Sequence, residues 1–157
     1  MGAGRASTRN DNTAELAQVC SVRLGDGRYG IPIGHILEIV GCARPQNVPL
    51  APEFVGGLMH YRGDVLTTVS LRRLFGLPLS ETSQDLLVVE STEGAFGLLV
   101  DAVMEVLTVS AAEFESNPST VCRERQSLFA GAYKLKDGLM VMLDPDRLQP
   151  MRLAKAD

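Results

Sequence analysis

The sequence predicts an all-β protein, a barrel or a sandwich, from three observations. Short apolar runs alternate with polar residues, Gly and Asp turns punctuate them, and almost nowhere does an apolar period of helical length develop. Counted along the chain the runs number about ten, which suits two small barrels.

The elements follow in order. Residues 1–14, rich in Gly, Ser, Thr and Asn without an apolar period, have nothing to offset their ordering entropy and read as a disordered tail. Leu16–Leu24 alternates Val, Cys and Leu at every second position, a strand with one face on a core. Gly25-Asp26-Gly27 turns the chain into a second strand, Tyr29 to Ile33, whose Pro32 belongs at an edge or a strand end. Ile36, Ile39 and Val40 continue the pattern around Glu38, a carboxylate expected on the solvent face, and three prolines mark Gly41–Pro52 as a surface connection.

Glu53–Phe75 is the densest window. It turns through Gly56-Gly57, runs to Tyr61, breaks at Arg62-Gly63-Asp64 and resumes as Val65–Val69, a hairpin with an arginine at its tip. Ser70 can cap a short helical turn that places Leu71, Leu74 and Phe75 on one face and stops at Gly76. Leu79–Gln84 is polar and is the expected boundary between subdomains. Asp85–Glu90 and Ala95–Val100 form a hairpin, Val103–Val109 is a strand expected to be partly buried on both faces, and Ala111–Gln126 is an irregular excursion. Leu128–Leu135 and Leu139–Asp144 flank an Asp-Gly turn, and Asp144-Pro145 starts a short terminal helix.

Composition narrows the function. The 157 residues make one domain's length; 45% are apolar, only 5% aromatic and none is Trp, so the core is expected to be aliphatic. A net charge of −4 with scattered Lys and Arg offers no face for nucleic acid, and no run approaches the roughly 20 apolar residues of a bilayer span. The polar start is unlike a signal peptide, which points to the cytoplasm. Cys20, Cys42 and Cys122 lack the paired spacing of a zinc site or a redox dithiol and read as reduced structural thiols.

Catalytic groups are sparse. His35 and His60 are the only histidines and read as half-exposed structural residues. No Gly-rich loop opens onto a helix to hold phosphate. Asp101 and Glu105, placed on one strand, would stand about 13 Å apart, too far to share a proton. Asp144 and Asp146 read as a turn and cap. The expectation is a protein without catalysis, metal or cofactor.

Four motifs in order, YGIPIGHILEIV, PEFVGGLMHYRGDVLTTVSLRRLFGL, FGLLVDAVMEVL and AGAYKLKDGLMVMLDPDRL, resemble the CheW family of bacterial chemotaxis adaptors along almost the whole chain. The resemblance implies one domain over residues 15–153 of two interleaved, SH3-like, five-stranded barrels around a shared hydrophobic core, with short helices. It implies a non-catalytic adaptor that couples the cytoplasmic tip of methyl-accepting chemoreceptors to the regulatory domain of the histidine kinase CheA. Such an adaptor is cytoplasmic, is recruited to membrane-associated receptor arrays and does not itself insert into the membrane. Carried over by motif, Arg62 matches the family's turn arginine in receptor and array contacts, Gly57 its preceding glycine, and Glu38 a position on the kinase side. His60-Tyr61 replaces the family's usual Asn-Leu before Arg-Gly, which bears on partner choice. Two other readings stay open: an adaptor of twitching motility or another chemosensory-like pathway, and a small-molecule-binding barrel using the shared core as its pocket.

Overall fold

The computed structural model describes residues 15–79, 82–116 and 128–155. The tail, Cys122 and most of the 111–126 excursion lie outside the described residues.

Among the described residues eleven strands run in order: β1 (Leu16–Leu24), β2 (Gly27–Pro32), β3 (Ile36–Ala43), β4 (Val55–Tyr61), β5 (Asp64–Ser70), β6 (Gln84–Ser91), β7 (Gly94–Val100), β8 (Ala102–Ser110), β9 (Phe114–Glu115), β10 (Phe129–Leu135) and β11 (Gly138–Leu143). The helices among these residues are α1 (Leu71–Leu74), α2 (Pro145–Leu148) and α3 (Pro150–Lys155), with 3-10 turns at Ile33–His35 and Ala111–Glu113. Both expected caps form. Ser70 Oγ accepts from the Arg73 amide at 3.3 Å, and Asp144 Oδ1 from the Asp146 amide at 3.0 Å.

The strands make two sheets, β8-β1-β2-β11-β10-β9 and β3-β6-β7-β5-β4. The first is therefore assembled from both ends of the chain and the second from its middle. The chain leaves the first sheet at the Ile33–His35 turn and re-enters it at Asp101. Leu79–Gln84 is not the expected subdomain boundary: β5 before it and β6, which begins at Gln84, lie in the same second sheet.

Each sheet curls into a barrel-like half. In the second, Gln46 beyond β3 and Leu58 on β4 exchange two backbone hydrogen bonds of 2.7 Å, which brings the two edge strands together. In the first, β8 passes through a single 3-10 turn into β9, the opposite edge.

The core has three parts. Val19, Val109, Met140 and Met142 fill the first barrel; Leu66, Leu86, Val88 and Leu99 fill the second. Between them lies the largest cluster, including Cys20, Val22, Leu24, Leu87, Val89, Phe96 and Leu98. Consecutive residues of β6 thus face alternate cores, and so do those of β1, where Val19, Cys20, Ser21 and Val22 are all buried. The one-faced reading of β1 is corrected accordingly. Ser21 tolerates burial because its hydroxyl donates to the Glu105 carbonyl at 2.7 Å.

Two further expectations fail. Four of the five phenylalanines are buried, and Tyr29, Phe75 and Phe129 form a ring cluster with centroids 5.5–6.3 Å apart, so the shared core is not purely aliphatic. On β8, Met104 and Val106 are exposed and only Val109 is fully buried, because this strand is a sheet edge.

Candidate partner-binding site

The β4–β5 hairpin turns at Arg62-Gly63, both at positive φ (50° and 85°). Two central residues of positive φ make the primed turn whose twist matches a hairpin, a turn that prefers Asn, Asp or Gly. An arginine in the left-handed region costs roughly 1–2 kcal/mol. Local chemistry therefore disfavours Arg62, as it does Cys42 and Leu50, which share the left-handed region at φ 53° and 65°.

The structure brings Glu38 to this arginine. Arg62 Nη2 lies 3.8 Å from Glu38 Oε1, with side chains 74% and 44% exposed. The Arg62 guanidinium also stands 5.3 Å from the centroid of the Tyr61 ring. Glu38 reaches the mouth of the second barrel because Val40, two residues on, packs against that barrel's interior. An exposed pair of this kind contributes less than about 1 kcal/mol. Replacing Arg62 by Asn, which tolerates the turn, should therefore leave folding stability unchanged or raise it by up to about 1 kcal/mol. Urea titration checks this; a loss beyond that size would mean the pair holds the fold.

His60 and Tyr61 divide between the two faces of β4. His60 is exposed, cross-strand from Val65, itself 58% exposed; Tyr61 packs on the second barrel's interior cluster beneath Arg62. Leu37 and Ile39, on the opposite face of β3 from Glu38, are exposed, so this edge strand offers an acid on one face and apolar surface on the other.

Gly57 is not brought to this cluster. It lies near the start of β4, five residues before Arg62 in the turn, roughly 16 Å away at the usual rise. Gly56-Gly57 does not turn the chain: β4 is bulged between Val55 and Gly57. At Gly57, φ is 128°, and a Cβ would meet the Gln46 carbonyl oxygen at 2.5 Å. That glycine lets Gln46 approach and close the barrel.

Sequence reasoning missed the strongest ion pair. Asp101 was expected on a strand, but it occupies the crossing from β7 to β8, with its side chain 5% exposed. Arg72 grips it through Nε at 2.6 Å and Nη2 at 2.8 Å, the Gly25 amide donates to it at 2.8 Å, and Arg23 lies 3.9 Å away. Burial pushes the Asp101 carboxyl up, yet the Arg72 and Gly25 hydrogen bonds outweigh it and hold the group below the ordinary carboxylate range. The available signal was a lone aspartate directly after the uncharged, largely apolar run Phe96–Val100. Asp85 acts similarly, accepting from the Val103 amide at 2.8 Å and the Cys42 amide at 3.4 Å. His35 Nδ1 lies 3.0 Å from the Glu90 carbonyl oxygen, a structural contact as expected.

Among the described residues, no group of three or more His, Cys, Asp or Glu is placed to hold a metal. No helix among them is long and apolar enough to cross a membrane. What the site offers is an exposed ion pair on strained backbone, with apolar side chains along a sheet edge.

A model of the CheW-like domain matches residues 18–151. The chain belongs to the CheW-like family. Among its CheW relatives is the chemotaxis protein CheW of Helicobacter pylori, 31% identical over 140 residues, 88% of this chain and 84% of that one. The chemotaxis protein CheW of Rhizobium meliloti is 27% identical over 135 residues, covering 85% and 87%. The crystal structure of the scaffolding protein TtCheW from Thermoanaerobacter tengcongensis superposes with a TM-score of 0.77 at 25% identity, covering 85% of this chain and 92% of that one. The two-barrel, CheW-like architecture expected from the sequence is thus the observed one.

Proposed function

We propose that this CheW-like chain is a cytoplasmic adaptor that couples the cytoplasmic tip of chemoreceptors to the regulatory domain of the kinase CheA, within membrane-associated arrays. The observation that carries the reading is Arg62, held at positive φ, solvent-exposed and paired with Glu38. Its placement adds little stability, and it presents a fixed charge beside an apolar sheet edge. Such an edge, with unpaired backbone groups and exposed Leu37 and Ile39, is the surface type that a protein partner covers. Glu38, Arg62, His60 and Tyr61 form the proposed contact region, and Gly57 supports it through the fold. The family's scaffold character argues against catalysis by this chain.

A pull-down with the cognate kinase domain and receptor tip tests this. Arg62→Ala and Glu38→Arg should each weaken capture of at least one partner by about tenfold, the loss of one charge-assisted contact. Intact capture by both variants would refute the site. A second reading, service in another chemosensory-like pathway, rests on His60-Tyr61 standing where the family's usual pair is absent. Restoring Asn-Leu at 60–61 should shift partner preference if that reading is right.

A further inference from the structure

The two carboxylate oxygens of Asp85 serve two different sheets. From its place on β6, Asp85 accepts at Oδ1 from the Cys42 amide of β3 at 3.4 Å and at Oδ2 from the Val103 amide of β8 at 2.8 Å. β3 is an edge of the second sheet and β8 an edge of the first. One side chain therefore ties the backbones of two edge strands that belong to separate sheets.

The shared core runs out to both of these edges. Residues directly opposite one another in an antiparallel pair point to the same face, so Ile39 lies on the face of Leu87 and Val106 on the face of Cys20. Leu87 and Cys20 are fully buried in the shared core, whereas Ile39 is 47% exposed and Val106 50%. Ile39 stands three residues before Cys42 and Val106 three after Val103, each roughly 10 Å from the clamp at the usual rise. One core thus ends at two tied edges in half-covered aliphatic side chains. A strand added to a sheet covers one edge alone. A helix, about 10–12 Å across with its side chains, is wide enough to lie on both. Glu38 points to the other face of β3, which sets Ile39 apart from the Arg62–Glu38 pair.

We infer that Asp85 is a positioning residue, a role that rests on the adaptor reading: it holds β3 and β8 at the spacing at which Ile39 and Val106 form one seat for the apolar stripe of an amphipathic helix of the receptor tip. Asp85 itself touches no partner. It acts through the two amides it binds.

The test is calorimetric titration of the full chain with the purified receptor tip and, separately, the kinase regulatory domain. Asp85→Asn keeps size and one acceptor oxygen but turns an N–H towards the other amide, which releases one edge. It should weaken the receptor tip at least about fivefold and leave the kinase domain within about twofold. Ile39→Ser and Val106→Ser should each weaken the tip as well. Their effects should be coupled in the unaltered protein, where one helix lies on both, and additive in Asp85→Asn, a pattern that a general loss of fold does not produce. The inference is overturned by retained tip affinity in Asp85→Asn, by equal loss for both partners, by loss for the kinase domain alone, or by coupling that survives the substitution. Failure of the unaltered protein to bind either partner is a distinct result, which would refute the adaptor reading and this seat with it.

Discussion

Replacing Asp101 by alanine should cost about 3–5 kcal/mol of folding stability, the usual result of leaving one partner of a buried pair uncompensated. A domain of this size has about 5–15 kcal/mol in all, so the variant should sit near the edge of folding. The reason is placement. Asp101 ties three segments at the crossing between the sheets: β1 through Arg23, the β1–β2 turn through Gly25, and α1 through Arg72. Arg72→Ala should approach the same cost, since Arg72 also donates to the Pro78 carbonyl at 2.6 Å. Urea denaturation measures both. Losses below about 1 kcal/mol would place the pair with exposed surface pairs instead.

The same carboxylate predicts a pH dependence. Its folded pKa lies below the unfolded value of about 3.9, so the unfolded chain binds the proton first. The stabilisation is full well above that unfolded pKa and is lost as pH falls through it towards the folded pKa. Asp146, held low chiefly by the hydrogen bond from the Thr92 amide, adds in the same direction. Acid titration of stability should therefore be shallower in Asp101→Asn than in the unaltered protein.

Gly57→Ala should cost at least about 2 kcal/mol, because it adds a side chain at φ 128° and drives it against backbone instead of a movable side chain. The expected damage is local. The paired bonds between Gln46 and Leu58 should open, raising hydrogen exchange at both amides and loosening the closure of the second barrel. Partner binding should fall too, through the fold. Arg62→Asn, by contrast, should lose binding while keeping stability. Slow exchange at Leu58 in Gly57→Ala would show that the barrel closes without this glycine.

Much of the fold was legible because local chemistry and tertiary context agree. Ser70 and Asp144 cap where their side chains predict, and Arg62-Gly63 turns the hairpin expected there. What misled was the pairing partner of each strand. β1 looks one-faced by alternation, yet it is buried on both faces because it separates the first barrel from the shared core. β8 looks buried by its apolar content, yet it forms an edge. Hydropathy reports that a residue is apolar and says nothing of how many sheets will cover it. The site was legible in part. Glu38 and Arg62, 24 positions apart, were named separately, but only barrel closure puts them in contact. The part Gly57 plays in barrel closure was not legible, because nothing in the sequence shows Gln46 passing over it.

We propose that the Arg62–Glu38 face serves recognition and not folding. Its most direct test is one paired measurement on Arg62→Asn: urea stability, and affinity for the purified kinase regulatory domain and receptor tip. The variant should show stability equal to or above that of the unaltered protein together with at least about a tenfold loss of affinity for one partner. Unchanged affinity for both partners, or a binding loss accompanied by equal loss of fold, would contradict it.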